Sequence, residues 1–313
     1  MKIVVNISQA LALILGAPLL GGIVAFFKAR LQRRHGASVF RPYSDLLKLF
    51  RKEDLVPPTS SVLFRLAPVV LFGAMVCVTS FIPVVQASAL LEGGGDFIML
   101  VYLLALGRFF LSLGALDGGS SFGGMGASRE ALVSSLAEAP LLLGLAAVAI
   151  LASRSGIAGM VAWTLRQNFF NVSTVHILAF TALAMVALAE TGRMPVDNPT
   201  THLELTMIHE AMVLEYSGPS LALIEWAGAI KLHAILALLI ALFVPWGMAE
   251  ANTWGRLALA LLFYGIKVGL FAVLLSFVES AVAKLRMYLV PDFLGVAAAL
   301  SALAVIFTMW VKR

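Results

Sequence analysis

Long apolar stretches recur along the whole sequence and are separated only by short polar segments. About 20 consecutive apolar residues are needed for a helix to cross a bilayer, so each stretch is a candidate membrane span. The pattern predicts eight spans, near residues 3–27, 62–85, 97–117, 131–152, 174–190, 229–247, 258–282 and 291–311. We therefore expect an all-α integral membrane protein, organised as a single membrane domain over residues 1–313.

Two polar segments between the spans also have helical features. In the first loop, apolar residues recur at the spacing of one helix face: Tyr43, Leu46, Leu47 and Phe50. This spacing predicts a short amphipathic helix on the membrane surface or against a partner. After Glu190, Asn198 is a suitable N-cap with Pro199 at the first helical position, and Gly218 is a natural stop. A second short helix is expected there.

The composition excludes a soluble catalytic domain. Only 12% of the residues are charged, whereas soluble domains carry about 25%. Cys77 is the single cysteine, so the chain can form neither an internal disulfide nor a cysteine cage for an iron–sulfur cluster, which takes about four. We expect no metal or cofactor in this chain and place any redox cofactor on another subunit.

Lysine and arginine are unevenly divided between the two sides of the predicted bundle. One side carries twelve: Lys28, Arg30, Arg33, Arg34, Arg41, Lys48, Arg51, Lys52, Arg129, Arg193, Lys284 and Arg286. The other side carries six: Lys2, Arg154, Arg166, Arg256, Lys312 and Arg313. The positive-inside rule makes the first side cytoplasmic and both termini external. The net charge of +5 therefore indicates membrane orientation rather than a nucleic-acid partner.

Several ionisable residues lie within or at the ends of predicted spans: Arg108, Glu130, Glu138, Glu190, Lys231, Lys267 and Glu279. An ionised side chain at the bilayer centre costs at least about 2.5 kcal/mol, so each is a functional candidate. Lys267 and Glu279 are about 18 Å apart along one helix, so their partners must come from other helices. Static ion pairs between helices are one interpretation; the number of residues favours the other, a polar path that relays protons.

The histidines give a weaker signal. His202 and His209 are seven residues apart and share a helix face. The string from His209 to Val213 differs from the zinc-protease motif, because valine stands where the second histidine is required. A polar helix face that contacts a partner subunit on the cytoplasmic side is therefore preferred to a metal site.

Five groups of residues have the form of family motifs. They are Arg33-Arg34-His35-Gly36 with Tyr43-Ser44-Asp45-Leu46-Leu47-Lys48-Leu49; Arg108-Phe109-Phe110; Leu116-Asp117-Gly118; Gly126-Ala127-Ser128-Arg129-Glu130; and Glu190-Thr191-Gly192-Arg193-Met194-Pro195-Val196-Asp197 with Glu215-Tyr216-Ser217-Gly218. Over nearly the whole chain the sequence resembles the subunit 1 family of respiratory complex I. Within that family it is most similar to the membrane subunits of group 4 nickel–iron hydrogenases and formate hydrogenlyases.

This resemblance implies a membrane-arm subunit that docks a hydrophilic hydrogenase-type arm and couples its electron transfer to proton or sodium movement. The resemblance places Glu130, Glu138 and Glu190 in a charged channel that leads from the junction into the membrane arm. With the other candidates, the expected ion-coupling residues are Arg108, Asp117, Glu130, Glu138, Glu190, Lys231, Lys267 and Glu279. The implied docking and junction residues are Arg34, Tyr43, Asp45, Lys48, Arg129, Arg193, Asp197, Glu204, His209, Glu210, Glu215 and Tyr216. The expected partners are subunits that carry iron–sulfur clusters and a nickel–iron centre, and antiporter-like membrane subunits, in a prokaryotic cytoplasmic membrane.

The sequence departs from the complex I pattern next to the expected quinone cavity. Thr200 and His202 stand where complex I members have acids, and only Glu204 keeps its carboxylate. Their loss favours the hydrogenase branch over a quinone-binding subunit of an NADH dehydrogenase, which is the second interpretation within the family. Two further interpretations are a stand-alone secondary transporter and a purely structural membrane scaffold.

Overall fold

The structure, a computed structural model, describes residues 2–93, 95–167, 173–197, 207–249 and 253–311. These residues form helices and connecting segments, with no strand among them. The helices are α1 (Lys2–Leu31), α2 (Arg41–Phe50), α3 (Val62–Thr79), α4 (Asp96–Asp117), α5 (Ser121–Ala152), α6 (Ile157–Arg166), α7 (Thr174–Glu190), α8 (His209–Val213), α9 (Gly218–Phe243), α10 (Trp254–Ala281) and α11 (Val290–Val311), with a 3-10 turn at Met287–Leu289 before α11.

The predicted all-α membrane fold is confirmed. In the described part of the chain, seven helices are long and apolar enough to cross a bilayer: α1, α3, α4, α5, α9, α10 and α11. The eighth predicted span is α7, which is apolar but has only 17 residues. At 1.5 Å per residue α7 is about 25 Å long, somewhat less than the hydrocarbon thickness of about 30 Å.

Two spans begin earlier than predicted. α5 begins at Ser121 rather than near 131, because the Ser120 side chain caps it by accepting a hydrogen bond from the Gly123 amide at 3.1 Å. α9 begins at Gly218 rather than near 229, so Gly218 starts a helix where the sequence suggested a stop. Gly218 has φ +50°, and a Cβ there would lie 2.4 Å from the Glu53 carbonyl oxygen. Only glycine fits this entry into α9.

The short helices agree with the sequence in part. The amphipathic helix predicted in the first loop is α2, which has no buried residue. The start of the second predicted helix, at Asn198 and Pro199, lies outside the described residues, and within them this region contains only the five-residue α8. α6 was not predicted; it buries one face through residues such as Ile157 and Met160.

The bundle is arranged around α9, most of whose span is buried inside the protein. α1, α3 and α7 pack against α9, and α3 pairs with α4. α5, α7 and α11 form a second group. Without a hydrophobic force between helices in lipid, such contacts depend on close packing of small residues. At Gly114 in α4 an added Cβ would come within 2.8 Å of Ala67 in α3 and would overlap the Tyr216 hydroxyl.

Buried polar groups join α1 to α9 and α10. His233 in α9 donates from Nδ1 to the Leu13 carbonyl at 2.9 Å, since a carbonyl can only accept. The Tyr264 hydroxyl in α10 therefore donates to His233 Nε2, also at 2.9 Å. Ser276 Oγ donates to the Val24 carbonyl at 3.1 Å. These satisfied hydrogen bonds fix the register of α1 against the central helix.

The helices alternate in direction, so the connecting segments lie at two opposite ends of the bundle. We call the end that carries α2, residues 191–197 and 207–217, and the 282–289 connection the basic face. α10 packs against α1 and α9, whereas α11 packs against α5 and α7. The 282–289 connection therefore crosses the basic face, where the Leu285 amide donates to the Pro195 carbonyl at 2.8 Å.

Candidate functional site

Four ionised side chains from four helices meet inside the bundle, and we call them the central cluster. Arg108 in α4 donates from Nη1 to Glu190 at the end of α7, and from Nη2 to Glu138 in α5 at 3.0 Å. Lys231 Nζ in α9 is 3.1 Å from the second carboxylate oxygen of Glu190. The sequence placed all four residues in spans; the structure shows that Arg108 joins the two carboxylates.

The members of the central cluster differ in exposure. The Glu190 side chain is 1% exposed and that of Arg108 is 7%, whereas Glu138 is 39% exposed. Buried ions are stable only when they are paired and hydrogen-bonded, so Arg108 and Glu190 depend on each other. Glu138 is the member that reaches the surface of the bundle.

A small cavity lined by both charged and apolar residues adjoins the central cluster. It measures about 70 Å³ and is lined by Glu130 and His209 as well as by Arg108, Glu190 and Lys231. At about 30 Å³ per molecule in the liquid, this volume suits about two water molecules, and its charged walls offer them partners. Three carboxylates here, counting Glu138, face two cations, so the neighbourhood can take up one proton and become neutral.

A larger cavity opens at the basic face. It measures about 490 Å³ and lies between α1, α2, α9 and the segment that follows α7. Its titratable lining residues are Asp45, Arg193, Asp197, His209, Glu210 and Glu225. Thr191, Gly192, His209 and Gly228 line both cavities. The two cavities are therefore neighbours, and polar groups continue from the basic face to the central cluster.

A third opening lies on the other side of Arg108. A groove of about 600 Å³ runs between α4 and α5 and is lined by Arg108, Glu138 and Ser134 together with apolar residues such as Tyr102 and Phe109. We call it the α4–α5 groove. The central cluster thus connects a cavity at the basic face with an opening on the flank of the bundle.

A second group of ions fixes the segment that follows α7. Glu279 at the end of α10 accepts hydrogen bonds from Lys28 at 2.9 Å and from Arg193 at 2.8 Å, and its side chain is 1% exposed. We call these three residues the Glu279 triad. Nearby, Lys284 donates to Asp197 at 2.7 Å. Asp197 also accepts from the amide of Ile208 at 3.2 Å, which holds the start of α8 against the same segment.

Two predicted ion-coupling residues have contacts away from the central cluster. Lys267 donates to the carbonyls of Val244 and Trp246, which follow the end of α9 at the face opposite the basic face. Asp117 accepts hydrogen bonds at the start of α3, from the Ser61 amide at 2.7 Å and from the Phe64 amide at 3.1 Å. Each of these side chains satisfies free backbone groups at a helix end.

The predicted docking residues divide into exposed and inner positions. Arg34, Asp45 and Lys48 are exposed on or beside α2, while Tyr43 and Glu215 are half-buried. Arg129 donates to the Met207 carbonyl at 3.0 Å, and Arg193, Asp197, His209 and Glu210 line the basic-face cavity. Tyr216 is buried and stacks on Phe64 with ring centroids 4.1 Å apart, so it lies below this surface. Glu204 lies outside the described residues.

Sequence reasoning missed two participants. Glu225 lines the basic-face cavity, but the sequence assigned its position to a loop because α9 was expected to begin near 229. Lys28 was counted only as a cytoplasmic charge, although it donates to Glu279. A search for charges within one helical turn of each span end would have found Lys28.

His209 gives a prediction for the pH dependence of stability. Burial lowers the pKa of His209 below its ordinary 6.5, against the opposing effect of the Glu210 and Asp197 carboxylates. A lowered folded-state pKa means that the unfolded chain binds more protons, so this contribution to stability is complete above about pH 6.5 and is lost as the pH falls. We expect melting temperatures of the solubilised complex to fall between about pH 7 and 5, and His209→Gln to remove roughly 2–4 °C of that fall.

The control for this measurement is His35→Gln, because His35 is exposed. It should melt with the same pH dependence as the unmodified complex. Equal pH slopes for His209→Gln and the unmodified complex would show that His209 takes no part.

Residues 4–310 match the family model described as NADH dehydrogenase. The chain belongs to the NADH dehydrogenase family. The family relationship agrees with the motifs of complex I subunit 1 that the sequence resembles. The match covers nearly the whole chain, so the described helices and the central cluster lie within the part that belongs to the family.

Two relatives from Escherichia coli K12 are similar over almost their full lengths. Formate hydrogenlyase subunit 4 is 35% identical over 295 residues, which cover 93% of this chain and 94% of the relative. Hydrogenase-4 component C is 35% identical over 305 residues, which cover 97% and 95%. Both names agree with the predicted hydrogenase branch of the NADH dehydrogenase family.

A solved structure has the same fold. It is a chain of the membrane-bound sulfane sulfur reductase, an archaeal respiratory membrane complex, with a TM-score of 0.82 and 22% identity over 98% of this chain and 100% of that chain. By its apolar helices and its family, this NADH dehydrogenase family member is a multi-pass membrane protein of the membrane-arm type, and the two relatives are named as parts of multisubunit hydrogenase complexes.

Proposed function

We propose that the chain docks a hydrogenase-type hydrophilic arm at its basic face and couples electron transfer in that arm to proton or sodium movement through the central cluster. The observation that carries this proposal is the position of Arg108, which binds Glu190 on one side and the partly exposed Glu138 on the other. The cluster therefore lies between the basic-face cavity and the α4–α5 groove.

The kind of arm follows from the relatives. Formate hydrogenlyase subunit 4 and hydrogenase-4 component C are the similar proteins that match nearly end to end. The arm would carry the iron–sulfur clusters and a nickel–iron centre, since this chain has a single cysteine. Its docking surface would be α2 with residues 191–197 and 207–217. The basic face would be cytoplasmic in a prokaryotic inner membrane, with both termini outside.

The coupling would be electrostatic. A negative charge that arrives on a redox centre near the basic face raises the proton affinity of the carboxylates that line the cavities. Protonation of Glu190 weakens its bond to Arg108, which can then bind Glu138 more strongly. Because Glu138 opens into the α4–α5 groove, an antiporter-like membrane subunit would receive the change of charge there.

Glu138→Gln tests the relay. Glutamine keeps the size and one acceptor of the side chain but has no proton to give or take at neutral pH. We expect hydrogen evolution by the purified complex to remain near normal, and ion uptake per electron to fall at least about tenfold when the complex is reconstituted in liposomes. The measurement is a pH-sensitive or sodium-sensitive dye inside the vesicles, read during turnover.

Glu92→Gln is the matched control, because Glu92 is an exposed carboxylate at the opposite end of the bundle and glutamine can still accept the Ala89 amide. Normal ion uptake in Glu138→Gln would end the relay assignment and favour a scaffold. The electron-transfer reaction separates the two branches of the family: hydrogen evolution from reduced ferredoxin or formate supports a hydrogenase arm, whereas inhibition by quinone-site inhibitors supports a quinone-binding subunit.

A further inference from the structure

An apolar groove runs along the outside of the bundle between α7, α9 and α10. It encloses about 100 Å³ and is lined by Phe180, Ala184 and Leu188 of α7, Leu236 of α9, and Phe271 and Leu274 of α10. Thr191 is the only polar residue among the described groove residues. Leu274 is 52% exposed, so the groove opens to the surroundings of the bundle at α10.

The groove exists because α10 and α11, which are consecutive in the chain, pack against different helices. α10 packs on α1 and α9, while α11 packs on α5 and α7. No helix in the described part of the chain fills the gap between α7 and α10. The 282–289 connection, which joins α10 to α11, crosses the basic face. There the Leu285 amide donates to the carbonyl of Pro195, in the segment that follows α7. The groove therefore has a covered end at the basic face and an open side.

The length of the groove corresponds to one leaflet of a bilayer. From Phe180 to Thr191 the α7 wall rises about 16 Å at 1.5 Å per residue. Half of the hydrocarbon thickness is about 15 Å. Phe180 therefore lies near the level of the bilayer centre, and Thr191 lies where the hydrocarbon gives way to headgroups. An extended acyl chain has the shape and polarity of this groove.

Positive charge collects at the covered end. Val278 and Thr191 line that end, next to Glu279 and close to Arg193. The Glu279 triad contributes two cations and one carboxylate. Lys284 is paired with Asp197, whereas the exposed Arg286 donates to the uncharged Tyr288 hydroxyl at 3.0 Å. The two cations of the triad, Lys284 and Arg286 therefore make four cations, against the two carboxylates of Glu279 and Asp197. Tyr288 is 65% exposed, as is common for tyrosine at a membrane interface.

We propose that this groove is a binding site for an anionic phospholipid of the leaflet on the basic face. One acyl chain fills the space between α7 and α10, and the phosphate group lies against Arg286 and the positive end of the groove. Anionic headgroups are attracted to clusters of lysine and arginine at the membrane surface. The bound lipid ties the 282–289 connection to the segment after α7, from outside the ion-coupling path.

The first test counts phospholipids on the intact complex by native mass spectrometry after detergent exchange. Ala184→Phe places a ring in the groove, and we expect it to lose one phospholipid per complex. The control, Ala258→Phe, adds the same ring at an exposed position near the other end of α10 and should lose none. An unchanged phospholipid count in Ala184→Phe would overturn the proposal.

The second test addresses the headgroup. Delipidated complex is supplied with phosphatidylglycerol or phosphatidylcholine, and we expect at least threefold preferential retention of phosphatidylglycerol. Arg286→Gln should remove that preference, and Arg256→Gln, which alters an exposed arginine at the opposite end of α10, should keep it. Equal retention of both lipids by the unmodified complex would overturn the anionic assignment.

A photo-cross-linking residue at position 274 identifies the occupant without relying on either groove variant. Since Leu274 is exposed in the groove, irradiation of native membranes should yield a phospholipid adduct on this chain. A cross-link to another subunit would instead show that a protein helix fills the groove, and the lipid site would then be wrong.

Discussion

Replacing Arg108 with glutamine is expected to abolish redox-coupled ion movement and to destabilise the membrane subunit. Arg108 is the direct link between Glu138 and Glu190, and its removal leaves the nearly fully buried Glu190 with Lys231 alone. Loss of one partner of a buried ion pair costs about 3–5 kcal/mol. We expect ion uptake per electron to fall to background in liposomes, and the solubilised complex to melt at a lower temperature.

Arg108→Lys separates the two consequences. Lysine keeps the positive charge, but its donors all lie on one nitrogen, whereas the guanidinium reaches Glu190 and Glu138 from two separate nitrogens. We expect Arg108→Lys to assemble and melt nearly normally while ion uptake per electron stays at least about tenfold low. Arg154→Gln, at an exposed position, is the control. Normal ion uptake in an assembled Arg108→Gln complex would show that ions bypass the central cluster.

Glu279→Ala is expected to release the hydrophilic arm from the membrane subunit. The carboxylate holds Lys28 of α1 and Arg193 of the segment after α7 together. Without it two partly buried cations repel each other, at a cost of about 3–5 kcal/mol, and the docking surface loses its fixed position. The expected result is loss of arm subunits during size-exclusion chromatography at moderate salt, with little hydrogen evolution left in the membrane fraction.

Glu279→Gln is the informative companion, because the glutamine carbonyl oxygen can still accept from one of the two cations, whereas its NH2 group cannot accept from the other. We expect partial arm retention and normal ion uptake per electron in the complexes that remain intact. An intact Glu279→Gln complex that evolves hydrogen but moves no ions would instead place Glu279 in the relay. Asp292→Asn is the control, since Asp292 is an exposed acid at the start of α11.

The sequence was sufficient for the approximate positions of the spans and for most of the ionisable residues within them, although it began α5 and α9 too late and so missed Glu225. Hydropathy alone locates helices in lipid, because every backbone polar group there must be satisfied within the helix. The surface helix α2 was also predictable, because its apolar residues recur on one face. The motif around Glu190 contributed to the resemblance to the family, because its residues are specific to it.

The pairing of those charges could not be predicted. Arg108 and Glu190 are 82 positions apart in sequence, and the bond between them depends on how α4 and α7 pack. Lys267 and Asp117 looked like the other charges, yet they cap helix ends. Whether a charge in a span caps a helix or joins a network depends on which backbone groups lie near it, and a hydropathy pattern does not contain that information.

The shortness of α7 has an electrical consequence. α7 ends at Glu190 after 17 residues, and the basic-face cavity reaches the following residues Thr191 and Gly192. Moving one elementary charge through the whole membrane potential takes about 2.3 kcal/mol per 100 mV. In the proposed relay, an ion that stops at Glu190 would arrive through the open basic-face cavity and would have crossed only a small part of the field. Most of the work against the potential would then be done beyond Glu138.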